Sequence, residues 1–129
     1  MLPNQTQPPK KILIVEDDPL HQMVMAALLE QVGYPFDLAV DGKSALELVA
    51  ANKYILILMD IGLPDLSGTQ VSEQIRAQGL CMSNIPIVAV TAHSAATMKA
   101  KCIQSGMNDF ITKPLSSERL QQVIATYVA

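Results

Sequence analysis

Short apolar runs alternate with helix-periodic segments from one end of this chain to the other, and that alternation restricts the fold more than any other feature. KILIVE (residues 11–16) is an apolar run of strand length. Asp18-Pro19 then supplies a helix N-cap and a first-turn proline. Leu20, Met23, Val24, Ala27 and Leu28 recur at i, i+3, i+4, i+7 and i+8, forming one apolar helical face, with Gly33 placed to end the helix. FDLAV (36–40) predicts a strand, and 42–52 a helix that turns Ala45, Leu46 and Val49 inward. YILILM (54–59) predicts the third strand. Ser67 and Gln70 fit a capping box before a helix carrying Val71 and Ile75. IPIVAV (85–90) predicts a fourth strand. A weakly amphipathic helix over 95–105, with Met98 and Cys102 on its thin apolar face, is ended by Gly106. DFIT (109–112) is the last strand. Ser116 opens a helix with Leu120, Val123, Ile124, Tyr127 and Val128 on one face.

Runs that are apolar throughout fit strands buried on both faces, and parallel strands need right-handed crossovers. The fold class is therefore α/β, a doubly wound five-stranded parallel sheet with helices on both faces. With 129 residues the chain fits one domain, 11–129, preceded by a polar, proline-containing stretch, 1–10, that reads as a flexible lead-in or linker. No apolar run is long enough to cross a bilayer and no signal peptide is evident, so a cytoplasmic location without membrane contact is expected. The net charge of −3 and the lack of a basic, aromatic-rich patch argue against nucleic-acid binding. Cys81 and Cys102 stand far apart with no CxxC or Cys/His cluster, and are expected to be free thiols.

In an open parallel sheet, sites form outside the carboxyl ends of the strands. Glu16 and Asp17 fall at the end of the first strand, Asp60 at the end of the third and Thr91 at the end of the fourth, and Lys113 follows the fifth. Three carboxylates, a hydroxyl and an ammonium should therefore gather at one edge. Clustered carboxylates repel, and oxygen ligands without imidazole or thiolate suit Mg²⁺ (or Mn²⁺). A lysine and a hydroxyl beside such an ion fit an anion, with phosphoryl the obvious candidate.

The segments ILIVEDDP, LILMDIGLPDLSG, PIVAVTA and GMNDFITKPL, in that order, resemble the receiver domain of two-component response regulators over about residues 11–128. The resemblance implies a flavodoxin-like sheet of strand order 2-1-3-4-5. It makes Asp60 the phospho-acceptor, with Thr91 and Lys113 as its phosphate-binding partners. It also implies metal binding by Glu16, Asp17, Asp60 and the main-chain carbonyl of Gly62, a switch formed by Thr91 and Phe110, and a cis bond before Pro114. Gly62 and His93 take positions that tune phosphoryl lifetime in the family, whereas His21 is expected to face solvent beside the acidic pocket. The implied output surface is the helix at 95–105, the strand at 109–112 and the last helix. The implied partner is a histidine kinase or a histidine phosphotransfer domain, and a phosphorylation-dependent homodimer is a further expectation. Such a domain promotes its own phosphorylation and dephosphorylation without being a turnover enzyme. AVTAHS and GMNDFITKPL look most similar to receivers attached to hybrid histidine kinases.

The competing expectation is a module of the same fold that acts without phosphorylation. Competent residues at all five key positions disfavour it. An aspartyl-nucleophile phosphatase is disfavoured by Asp60-Ile61-Gly62 in place of a DxD pair, and a flavin- or nucleotide-binding domain by the acidic VEDDP where a phosphate loop would be needed.

Overall fold

The computed structural model describes residues 10–78, 84–92 and 96–128. Strands and helices alternate as β1 (Ile12–Val15), α1 (Pro19–Val32), β2 (Phe36–Ala39), α2 (Gly42–Ala51), β3 (Leu56–Asp60), α3 (Gly68–Ala77), β4 (Ile87–Thr91), α4 (Ala96–Gln104), β5 (Asp109–Thr112) and α5 (Ser117–Tyr127). The strands form one parallel sheet in the order β2-β1-β3-β4-β5. Cys81, His93 and the side chain of Met98 lie outside the described residues, as does the lead-in before Lys10. Cys102 is a free, buried thiol.

Alternation along the strands divides the core in two. Leu13, Val15, Ile57, Met59, Ile87 and Ala89 point to one face, where Val49, Val71, Ile75 and Cys102 of α2, α3 and α4 cover them. Ile12, Ile14, Leu56, Leu58, Val88 and Val90 point to the other, against Met25 and Leu29 of α1 and Leu120, Val123 and Ile124 of α5. Each buried aliphatic side chain contributes on the order of 2 kcal/mol.

Three helix starts match their sequence signals. Asp18 Oδ1 accepts from Leu20 N at 2.8 Å, with Pro19 opening α1. Ser67 and Gln70 close a capping box on α3, and Ser116 Oγ caps α5. Gly33 ends α1 at φ 88°, a left-handed conformation that glycine adopts without a Cβ penalty. The strand limits shift slightly. β3 starts at Leu56 rather than at residue 54 and takes in Asp60, which pairs with Val90. β4 runs from Ile87 to Thr91 rather than over 85–90.

The apolar face of α1 is the larger difference. Met25 and Leu29 are buried and Leu28 and Val32 pack beside them, whereas Leu20, Met23 and Val24 are 65%, 69% and 42% exposed. Residues 25, 28, 29 and 32 form a stripe with the same helical spacing. Packing against the sheet and α5 selects it over the stripe that starts at Leu20.

At the amino end of the sheet, Asp37 accepts from Tyr54 Oη at 2.7 Å and Lys11 Nζ at 3.0 Å. The tyrosine hydrogen bond first, and then the lysine, hold the Asp37 carboxyl below its ordinary pKa. A depressed carboxylate pKa stabilises the fold above the unfolded value, and that stability is lost as pH falls through the folded value. Below about pH 4 the melting temperature of the wild type should therefore fall more steeply than that of Asp37→Asn. The difference is worth at most about 1 kcal/mol because the pair is partly exposed. Parallel melting curves down that range would remove this contribution.

Candidate functional site

The carboxyl edge of the sheet is built by where the strands stop. β1 delivers Glu16, whose N–H still bonds Ala39 O at 3.0 Å, so its side chain is held by the sheet and is 1% exposed. Glu16 Oε2 accepts from Asp18 N at 3.1 Å, and Gln22 Nε2 donates to Glu16 O at 2.7 Å. Asp17 follows with its side chain exposed. Asp60, the last residue of β3, is 9% exposed, and its Oδ1 lies 3.4 Å from Gly62 N. Carboxylate oxygens of Glu16, Asp17 and Asp60 all lie within 4.8 Å of one another.

Thr91 ends β4 and is 3% exposed. Its carbonyl accepts from Lys113 N at 2.7 Å, which ties the lysine backbone to the next strand end. The Lys113–Pro114 bond is cis. Lys113 Nζ reaches Glu16 Oε1 at 3.0 Å and Asp60 Oδ1 at 3.7 Å. Glu16 and Asp60 thus both face the Lys113 ammonium, and with Asp17 beside them negative charge is in excess. Burial first, then the Glu16 carboxylate, push the Asp60 carboxyl above the ordinary aspartate range, while Lys113 and the Gly62 N–H pull the other way.

The residues expected at this edge therefore do converge: Glu16, Asp17, Asp60, Thr91 and Lys113. Phe110 stands apart, partly buried against the core face shared with α4, with Lys99 Nζ 5.9 Å from its ring centroid.

Two neighbours were not foreseen. His21, expected only to face solvent, is 43% exposed but brings Nδ1 to 3.0 Å from Lys113 Nζ. Its place one turn beyond Glu16-Asp17 was the only sequence signal. Asp65, in the loop after Asp60, accepts from Gly42 N at 2.8 Å and Lys43 N at 3.0 Å. It thereby caps α2 and fastens the β3–α3 loop to it. Bonds to these N–H groups, that of Gly42 first, hold its pKa low.

Comparison with known proteins agrees with this geometry. Over 116 residues the chain is 38% identical to the sensor protein GacS of Pseudomonas syringae pv. syringae, covering 88% of this chain and 13% of GacS. It is 40% identical over 126 residues to the hybrid signal transduction histidine kinase I of Dictyostelium discoideum, covering 93% of this chain and 7% of that protein. The chain thus spans a small part of the length of these relatives. Among solved structures, the receiver domain of the sensor histidine kinase PA1611 from Pseudomonas aeruginosa PAO1 superposes with a TM-score of 0.85 at 37% identity. The match covers 93% of this chain and 98% of that one, whose crystal structure has a magnesium ion coordinated in its active site cleft. Another, a two-component response regulator from Clostridium difficile, gives 0.84 at 29% identity, covering 92% and 95%. No helix among the described residues is long and apolar enough to cross a membrane. Residues 12–125 match the response regulator receiver domain, and with these relatives the match places the chain in that family.

Proposed function

We propose that residues 11–129 form a phosphoryl-accepting receiver in which Asp60 is the nucleophile. The observation that carries this reading is the convergence of Glu16, Asp17 and Asp60 within 4.8 Å beside the Lys113 ammonium. The donor set suits Mg²⁺, or Mn²⁺: it is all oxygen, has excess negative charge, and reaches solvent at Asp17. Glu16, Asp17, Asp60 and the Gly62 carbonyl would hold the ion. When bound, the ion supplies positive charge that offsets repulsion between these carboxylates and incoming phosphoryl oxygens.

The chemistry belongs to the side chains. An Asp60 carboxylate oxygen attacks phosphorus, and the P–N bond of a donor phosphohistidine breaks as the imidazole leaves with the bonding pair. An acyl phosphate remains on Asp60. The Lys113 ammonium and the Thr91 hydroxyl donate hydrogen bonds to its oxygens. Attack by water on that phosphorus returns the carboxylate and releases phosphate. The new contacts bias Thr91 and Phe110 toward a second arrangement, and the surface of α4, β5 and α5 carries the output. The same surface is our candidate for a phosphorylation-dependent homodimer.

The relatives among sensor and hybrid histidine kinases support a histidine kinase or phosphotransfer domain as the donor, and an origin of this chain in such a kinase. Leu20, Met23 and Val24, exposed on α1 beside the acidic edge, offer that donor an apolar seat.

The test combines metal binding with phosphoryl uptake. Mg²⁺ at ten times its Kd should raise the stability by about 1.4 kcal/mol, and EDTA should reverse the gain. Acetyl phosphate should add the mass of one phosphoryl group only when Mg²⁺ is present. A folded chain that shows neither change, and is not trapped by beryllofluoride, would instead be a module that works without phosphorylation.

A further inference from the structure

We propose that His21 is a positioning residue for Lys113, fixing the direction in which the ammonium presents its third N–H to Asp60. The inference rests on Asp60 being the phospho-acceptor. Lys113 Nζ lies 3.0 Å from Glu16 Oε1, 3.0 Å from His21 Nδ1 and 3.7 Å from Asp60 Oδ1. An ammonium has three donors and no acceptor. The histidine contact therefore needs the lone pair on Nδ1 and the ring proton on Nε2. With one N–H given to Glu16 and one to His21, the rotor is fixed and the third N–H is directed toward the Asp60 carboxylate.

Glu16 is held at its side chain and His21 at its backbone. Glu16 is buried and bound by Asp18 N. His21 sits in the first turn of α1, where its own N–H bonds Asp18 Oδ1 at 3.4 Å. The carboxylates of Glu16 and Asp18 face the ring, each 3.8 Å from Nδ1.

Packing alone does not hold the lysine. Its stem borders a cavity of about 340 Å³ lined also by His21, Val24, Met25, Val90 and Leu115. A flexible four-carbon stem beside open space can carry the ammonium away from Asp60, and a second acceptor outside the carboxylate cluster limits that swing. Glu16 alone would hold the charge near the site without fixing its orientation.

The experiment measures phosphoryl uptake from acetyl phosphate at saturating Mg²⁺ by intact mass. Wild type, His21→Leu and His21→Asn are compared, each also combined with Lys113→Ala. His21→Leu should slow uptake about 3- to 10-fold, the effect of one hydrogen bond. The amide oxygen of His21→Asn can occupy the place of Nδ1, and that variant should recover to within about twofold of wild type. In the Lys113→Ala background, His21→Leu should change nothing further, because its effect passes through the lysine. A rate for His21→Leu equal to wild type would overturn the inference. So would a His21→Asn rate as slow as that of His21→Leu, or an equal loss with and without Lys113. Uptake by wild type but not by Asp60→Asn keeps the phospho-acceptor reading intact under any of these results. Absence of uptake in wild type would overturn both.

Discussion

Asp60→Asn is expected to take up no phosphoryl group from acetyl phosphate under conditions in which the wild type does. The substitution preserves shape and replaces the carboxylate proposed to attack phosphorus by an amide, whose oxygen is a far weaker nucleophile. Thr91, Lys113 and Glu16 keep their places, so phosphate binding alone should not register as a covalent mass gain. The electrostatics of the edge predict that the variant folds. Burial and the neighbouring Glu16 already disfavour the ionised Asp60 carboxyl. A neutral amide there removes a charge that the folded state holds unfavourably. In EDTA, Asp60→Asn should melt no lower than wild type. Uptake by the variant at the wild-type rate would mean that another group accepts the phosphoryl.

Gly68→Ala should cause the largest loss of stability among single-methyl additions at this edge. Gly68 opens α3, and its N–H bonds Ile61 O at 2.9 Å, closing the loop that follows Asp60. A Cβ at this position would collide with the carbonyl oxygen of Asp60, and would also lie 3.0 Å from Ile61 Cα and 3.1 Å from Met59 Cγ. Two of these neighbours are backbone, so the strand end or the helix must move. Overpacking of this kind costs about 2–3 kcal/mol, which lowers the melting temperature of a domain this size by roughly 10 °C. Because the displaced atom is the Asp60 carbonyl, phosphoryl uptake should slow as well. Gly62→Ala is the matched control. No atom lies within 4 Å of a Cβ there and φ is not positive, so stability should change by no more than about 0.5 kcal/mol. Equal melting temperatures for Gly68→Ala and Gly62→Ala would show that the close approach does not hold the loop.

The edge was legible in the sequence because it depends on strand ends rather than on side-chain packing. Once five apolar runs alternate with helices, Glu16, Asp60, Thr91 and Lys113 must fall on the same side. The helix starts were legible for a similar reason, since Asp18, Ser67 and Ser116 act on N–H groups only two or three residues away. The orientation of α1 was not. Two apolar stripes share the helical period, and only docking against Ile12, Ile14 and α5 decides that Met25 and Leu29 turn inward. Asp65 was equally hidden, because it caps a helix that begins 23 residues before it. The His21–Lys113 contact spans 92 positions and needs one rotamer of each side chain. Periodicity carries no information of that kind.

The most direct measurement is to locate the phosphoryl group. The chain would be treated with acetyl phosphate and Mg²⁺, reduced with borohydride, which converts an aspartyl phosphate to homoserine, and digested for fragment mass analysis. Asp60 as the sole acceptor predicts homoserine at position 60 and nowhere else, and none when EDTA replaces Mg²⁺. Homoserine at another aspartate, or a phosphorylated chain that yields none at position 60, would contradict it.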